Sequence, residues 1–115
     1  SQHNAVKPLD KENAMRIKII RTPSGLSPEE VRRGWVGIIL EYTAKVKARP
    51  TTDLDLQIGR KNAAGYMVGG FTALEALKDH NPESYEWYKK DYPTKKSLEN
   101  VVFIFTTDVC EKVPQ

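Results

Sequence analysis

Beyond its first fourteen residues, this 115-residue chain holds one histidine, His80, and one cysteine, Cys110. That scarcity bounds its chemistry. A zinc site wants three or four nitrogen or sulfur ligands, and there is no Cys-x-x-Cys and no His-x-x-x-His. Asp79 adjoins His80, but adjacent residues on a helix point to different parts of its surface. His80 therefore reads as an exposed residue near a helix end, and no metal or cofactor is expected. Any Ser-His-Asp arrangement would have to run through that histidine. Cys110 lies in Asp-Val-Cys-Glu, where negative neighbours raise a thiol's pKa, so it reads as an ordinary buried thiol. Asp53 and Asp55 stand two apart in a strand-like alternation and would share a face. Such a pair could serve acid–base work or bind a cation; the simpler reading is the wet face of a strand. Gly65, Gly69 and Gly70 are followed by Phe71-Thr72, not by the Gly-Lys-Ser/Thr of a phosphate loop. A helix opening at Thr72 would still leave backbone N–H groups able to hold an anion. Nothing here assembles a catalytic set, and an enzyme is the least favoured class.

Binding features are more informative. Tyr85, Tyr88 and Tyr92 are spaced i, i+3, i+7 and form one helical stripe. At about 100° per residue, Trp87 lies about 160° from Tyr85. One domain face cannot receive both. The tyrosines are expected inward, and Trp87 toward a partner, with Glu83, Glu86 and Lys90 as the polar rim usual for an interaction patch. A second set is basic: Arg16, Lys18, Arg32, Arg33, Lys45 and Lys47. Trp35 falls on the strand parity of Lys45 and Lys47. Basic side chains around an aromatic can track a phosphate backbone and stack a base.

Charge is unevenly spread. The net value is +3, with +5 over residues 15–61 and −2 over residues 62–115. A basic half can favour an anionic partner. At 39% hydrophobic and 29% charged residues, the composition is that of an ordinary globular domain. The longest apolar runs, 35–40 and 101–105, are too short to span a bilayer, and no secretory leader pattern opens the chain. A lone cysteine cannot form an internal disulfide, which points to a reducing, cytoplasmic compartment. Residues 1–14 are polar and aperiodic and read as a flexible N-terminal arm or expression leader. Residues 15–115 read as one globular domain.

The elements that must position these residues follow from periodicity. Residues 16–22 read as a first strand, with Ile17 and Ile19 on one face. Ser27-Pro28-Glu29-Glu30 opens a short helix, with Ser27 as cap and Glu30 completing a capping box. Residues 34–47 read as one long, curved strand. Val36, Ile38, Leu40, Tyr42, Ala44 and Val46 face in, Trp35 and the lysines face out, and Gly37 marks a bend. Residues 53–58 alternate as a third strand, Asn62 marks a turn, and residues 65–71 form a fourth strand. Thr72-Ala73-Leu74-Glu75 is a second capping box, opening a helix with Leu74 and Leu77 inward. Asn81-Pro82-Glu83 starts another helix, to about Asp91. Residues 101–105 are apolar on both parities and read as a fully covered strand.

The expected fold is α+β: a small curved antiparallel sheet with two helices inserted before the last main strand. A strand opening at Gly34-Trp35-Val36-Gly37 follows a long first loop, and the final Phe103-Ile104-Phe105-Thr106-Thr107-Asp108-Val109 turns before it ends. On these features the chain resembles an SH3-like β-barrel with helical insertions over most of residues 15–113. It departs from that pattern in the helical stretch 72–91, and an open antiparallel sheet is the competing arrangement. The resemblance implies a fold and no function. The function expected is a small non-catalytic binding module whose partner is a protein, including a second copy of itself. The alternative is a nucleic-acid-binding module using the basic half.

Overall fold

The computed structural model describes residues 15–60 and 64–114. Residues 1–14, expected to be an arm, and Asn62, expected in a turn, lie outside the described residues. The fold is α+β, with two three-stranded antiparallel sheets and several helices. The first strand, β1 (Arg16–Ile19), buries Ile17 and Ile19 completely. A loop leads to a single helical turn, α1 (Glu29–Arg32). Pro28 is its cap residue, so the Ser27 hydroxyl sits one position too early and makes no capping bond. The loop is held instead by Arg32, whose Nε donates to the Ser27 carbonyl and Nη1 to the Pro23 carbonyl, both at 2.8 Å.

The expected long strand 34–47 is broken. Arg33–Trp35 continues α1 as a 3-10 turn, and Gly37 takes a φ of +97°, which L side chains rarely adopt. This bend turns the Trp35 indole into the core, where it is 2% exposed, so the strand parity that placed it outward does not apply. Only β2 (Ile39–Glu41) and β3 (Ala44–Val46) are extended, and they belong to different sheets. At the corner between them, Tyr42 N–H donates to the Met15 carbonyl and Thr43 N–H to the Met67 carbonyl. One bent segment thus passes from the first sheet into the second.

Residues 53–58 are not a strand. They carry a helix, α2 (Asp53–Gln57), opened by a capping box: Asp55 N–H donates to Thr52 Oγ1 at 3.2 Å and Thr52 N–H to Asp55 Oδ2 at 2.9 Å. Thr52 and Asp55 have the capping-box spacing, and that local bonding overrides the two-residue alternation. β4 (Gly65–Gly69) runs into α3 (Gly70–His80), which starts two residues before Thr72. Thr72 therefore lies inside the helix, and its expected capping box is absent. Leu74 and Leu77 face the core as expected. α4 (Pro82–Lys89) follows after Asn81, then β5 (Val102–Thr106), a 3-10 turn over Thr107–Val109, and β6 (Cys110–Lys112).

The sheets are ordered β2–β1–β6 and β3–β4–β5. They stay open among the described residues and do not close into one barrel. Between them lie Ile17, Ile19, Leu40, Val68 and Phe105, with Trp35 and with Ala73, Leu74 and Leu77 of α3. β5 is not covered on both faces. Phe105 is buried, but Val102 and Ile104 are 47% and 40% exposed. Register places Ala44, Met67 and Ile104 in one row on the outer face of the second sheet.

Candidate functional site

α4 is positioned by three devices. Asn81 caps it, its Oδ1 accepting from Ser84 N–H at 3.1 Å, and Pro82 fits the first helical position. Tyr85, Tyr88 and Tyr92 pack against the core, as their spacing predicts. Trp35 Nε1–H donates to the Tyr88 hydroxyl at 3.0 Å, and Trp35 packs edge-on to Tyr88 and Phe105. On the adjoining stripe Ser84 is buried and donates from Oγ to the Val31 carbonyl at 2.9 Å, locking α4 against α1. The close approach depends on Gly34. A Cβ there would lie 2.1 Å from Ser84 Oγ and 2.6 Å from Ser84 Cβ.

Trp87 therefore does not stand free on a naked helix face. It is half-buried, packs edge-on to Tyr88 with ring centroids 5.2 Å apart, and lines a groove between α1 and α4. The groove holds about 520 Å³, within the usual size of ligand clefts, roughly 300–1,000 Å³. Pro28, Glu30 and Val31 form one wall; Asn81, Glu83, Ser84, Glu86, Trp87 and Lys90 form the other. All four residues expected around a partner, Trp87, Glu83, Glu86 and Lys90, thus meet in one concavity. The α1 wall, Pro28, Glu30 and Val31, is not among the residues that the sequence points to. Gly34 and Ser84, both small and buried, mark where the end of α1 meets α4.

The basic set is dispersed. Arg16 and Lys18 lie on β1, with Glu41 opposite Arg16 and Glu111 opposite Lys18 on the flanking strands. Arg32 spends its guanidinium on the Ser27 and Pro23 carbonyls. Arg33 is 3.7 Å from Glu29 one turn away. Lys45 and Lys47 are exposed on and just after β3, in the other sheet. Trp35, offered as the stacking platform, is in the core and has no face for a base.

The remaining reactive groups have structural roles. His80 is exposed, and its Nε2 donates to the Val36 carbonyl at 2.8 Å. Cys110 is buried, and burial, then the nearby Asp108 carboxylate, pushes its thiol up to about 12. Asp53 and Asp55 do not share a face. Asp55 is buried, and it takes a bidentate pair of bonds from Arg49 at 2.7 and 3.1 Å, with Arg60 at 3.6 Å. The Arg49 hydrogen bonds, then the Thr52 backbone N–H, hold its carboxyl well below the usual range. It is locked as an anion, unsuited to moving protons. No group of three or more His, Cys, Asp or Glu able to hold a metal occurs among the described residues, and no helix there is long and apolar enough to cross a membrane. No protein-family model, curated protein or solved structure matches the chain, and the reading of its function therefore rests on this geometry.

Proposed function

We propose that the chain is a small non-catalytic binding module whose partner is a protein segment seated in the groove beside Trp87. The observation that carries this reading is the groove itself. A partly exposed tryptophan, held from behind by the Tyr88–Trp35 pair, lines a concavity rimmed by charge. Tryptophan is the side chain most enriched among residues that dominate binding energy, and such anchors work best in pre-organised pockets. The strand order, with β1 between β2 and β6 and a 3-10 turn before β6, supports the SH3-like reading of the fold. The single buried thiol supports a reducing, cytoplasmic setting. Nucleic-acid binding has the exposed Lys18, Arg33, Lys45 and Lys47 in its favour, but it has lost its aromatic platform.

Selection of random twelve-residue peptides on the immobilised wild-type chain, rescreened on Trp87→Ala, tests the reading. The selected pool is expected to bind wild type and to lose at least about tenfold in affinity on the variant, the scale of a hot-spot truncation. A pool that binds both equally would rule the groove out.

A further inference from the structure

The groove's charge runs against that of the whole chain. The protein carries +3 overall, yet the groove presents three carboxylates, Glu30, Glu83 and Glu86, against one ammonium, Lys90. No ion pair within 4 Å engages any of these four among the described residues. The carboxylates come from both walls, Glu30 from α1 and the other two from α4, so a side chain lying between the helices meets negative charge on either side. Trp87 is part of the same lining, and an indole face is the best aromatic acceptor for a cation. Pro28 and Val31 supply the apolar part of the opposite wall.

On these grounds we infer that the groove takes a cationic segment of another protein: an arginine or lysine over Trp87, between the carboxylates, with an adjoining apolar residue against Pro28 and Val31. An acidic segment would bring like charge into the groove and be repelled, and a neutral one would forgo the attraction of the three exposed carboxylates. The inference rests on the proposed binding function of this groove and adds the partner's chemistry to it.

The test reads the composition of the peptides selected on wild type and lost on Trp87→Ala. Arginine or lysine beside an apolar residue should be enriched over the unselected library. Binding of a synthesised member should weaken about tenfold or more between low and moderate salt, since charge-steered association is screened. It should weaken again on Glu83→Gln/Glu86→Gln, with the fold of that variant checked by circular dichroism. Trp87-dependent peptides that are neutral or acidic would overturn the cationic assignment and leave the groove as the binding site. Absence of any Trp87-dependent enrichment would overturn both. Sedimentation at the same concentrations supplies the last arm: a dimer dispersed by Trp87→Ala would make a second copy the occupant and sink the assignment to a foreign segment.

Discussion

At the scale of single residues, the two tryptophans divide the labour. Trp35 is a core residue with its N–H satisfied by Tyr88, and Trp87 is a half-buried groove residue. Trp35→Ala should therefore cost about 3–5 kcal/mol, as large aromatic truncations in cores do, and calorimetry should show it unfolding far below wild type. Trp87→Ala should keep a cooperative transition close to that of wild type. Equal losses would show that both indoles are structural. Tyr88→Phe tests the link between them. It leaves the buried Trp35 N–H without an acceptor, an expected cost of about 1–3 kcal/mol by denaturant titration. Gly34→Ala should also destabilise, by about 1–3 kcal/mol, because the new methyl lands on Ser84 and pushes α4 from α1. A neutral Gly34→Ala would mean that the helices are not in contact there.

At the scale of elements, the parts legible in the sequence are those with a clear hydrophobic period, even where an end signal misleads, as Thr72 does for α3. β1, β4, α3 and α4 fall close to their expected places, and Asn81-Pro82 marks the start of α4 as its residue types predict. The failures have local causes. In residues 34–47 the bend expected at Gly37 is present, with a φ of +97°, but the apolar alternation continues through a chain that changes sheets, because period alone does not reveal the corner at Tyr42-Thr43. In residues 53–58 the Asp-Leu alternation resembled a strand, while Thr52 and Asp55 already had the spacing of a capping box. The same Asp55 makes α2 sensitive to acid. Its carboxyl titrates lower in the folded chain than in the unfolded one, so its stabilising contribution is present above the ordinary carboxylate pKa of about 4 and is lost as pH falls below it. Amide-exchange protection of Leu56 and Ile58, whose N–H groups bond within this turn, should fall between about pH 4 and pH 2, ahead of the core strands. Asp55→Asn should show low protection already at neutral pH. Protection that persists unchanged through this range would remove Asp55 from the account of α2. In β5 the two parities should separate. Phe105→Ala is expected to cost about 3–5 kcal/mol, whereas Ile104→Thr, on the exposed face, should cost less than about 1 kcal/mol.

At the scale of the whole molecule, the two sheets form a scaffold, and two of its helices, α1 and α4, frame the groove proposed as the binding surface. The bent segment carrying β2 and β3 links the sheets, and α3 lies over their shared core. α4 is then held by its tyrosines on one side and by α1 on the other, which leaves Trp87 at the seam. That Glu83, Glu86 and Trp87 of α4 and Lys90 just after it share one surface could be read in the sequence from helical geometry alone. The α1 wall could not, because it depends on how a loop of residues 20–28 returns to a helix some fifty positions later. The most direct check is the amide and indole spectrum of the 15N-labelled chain, with the two indole signals assigned through Trp87→Phe. On titration with a groove-selected cationic peptide, the Trp87 indole and the amides of Val31, Glu83 and Glu86 should shift together, while the Trp35 indole changes little. A Trp87 indole that stays in place while signals elsewhere move would contradict the groove as the binding surface.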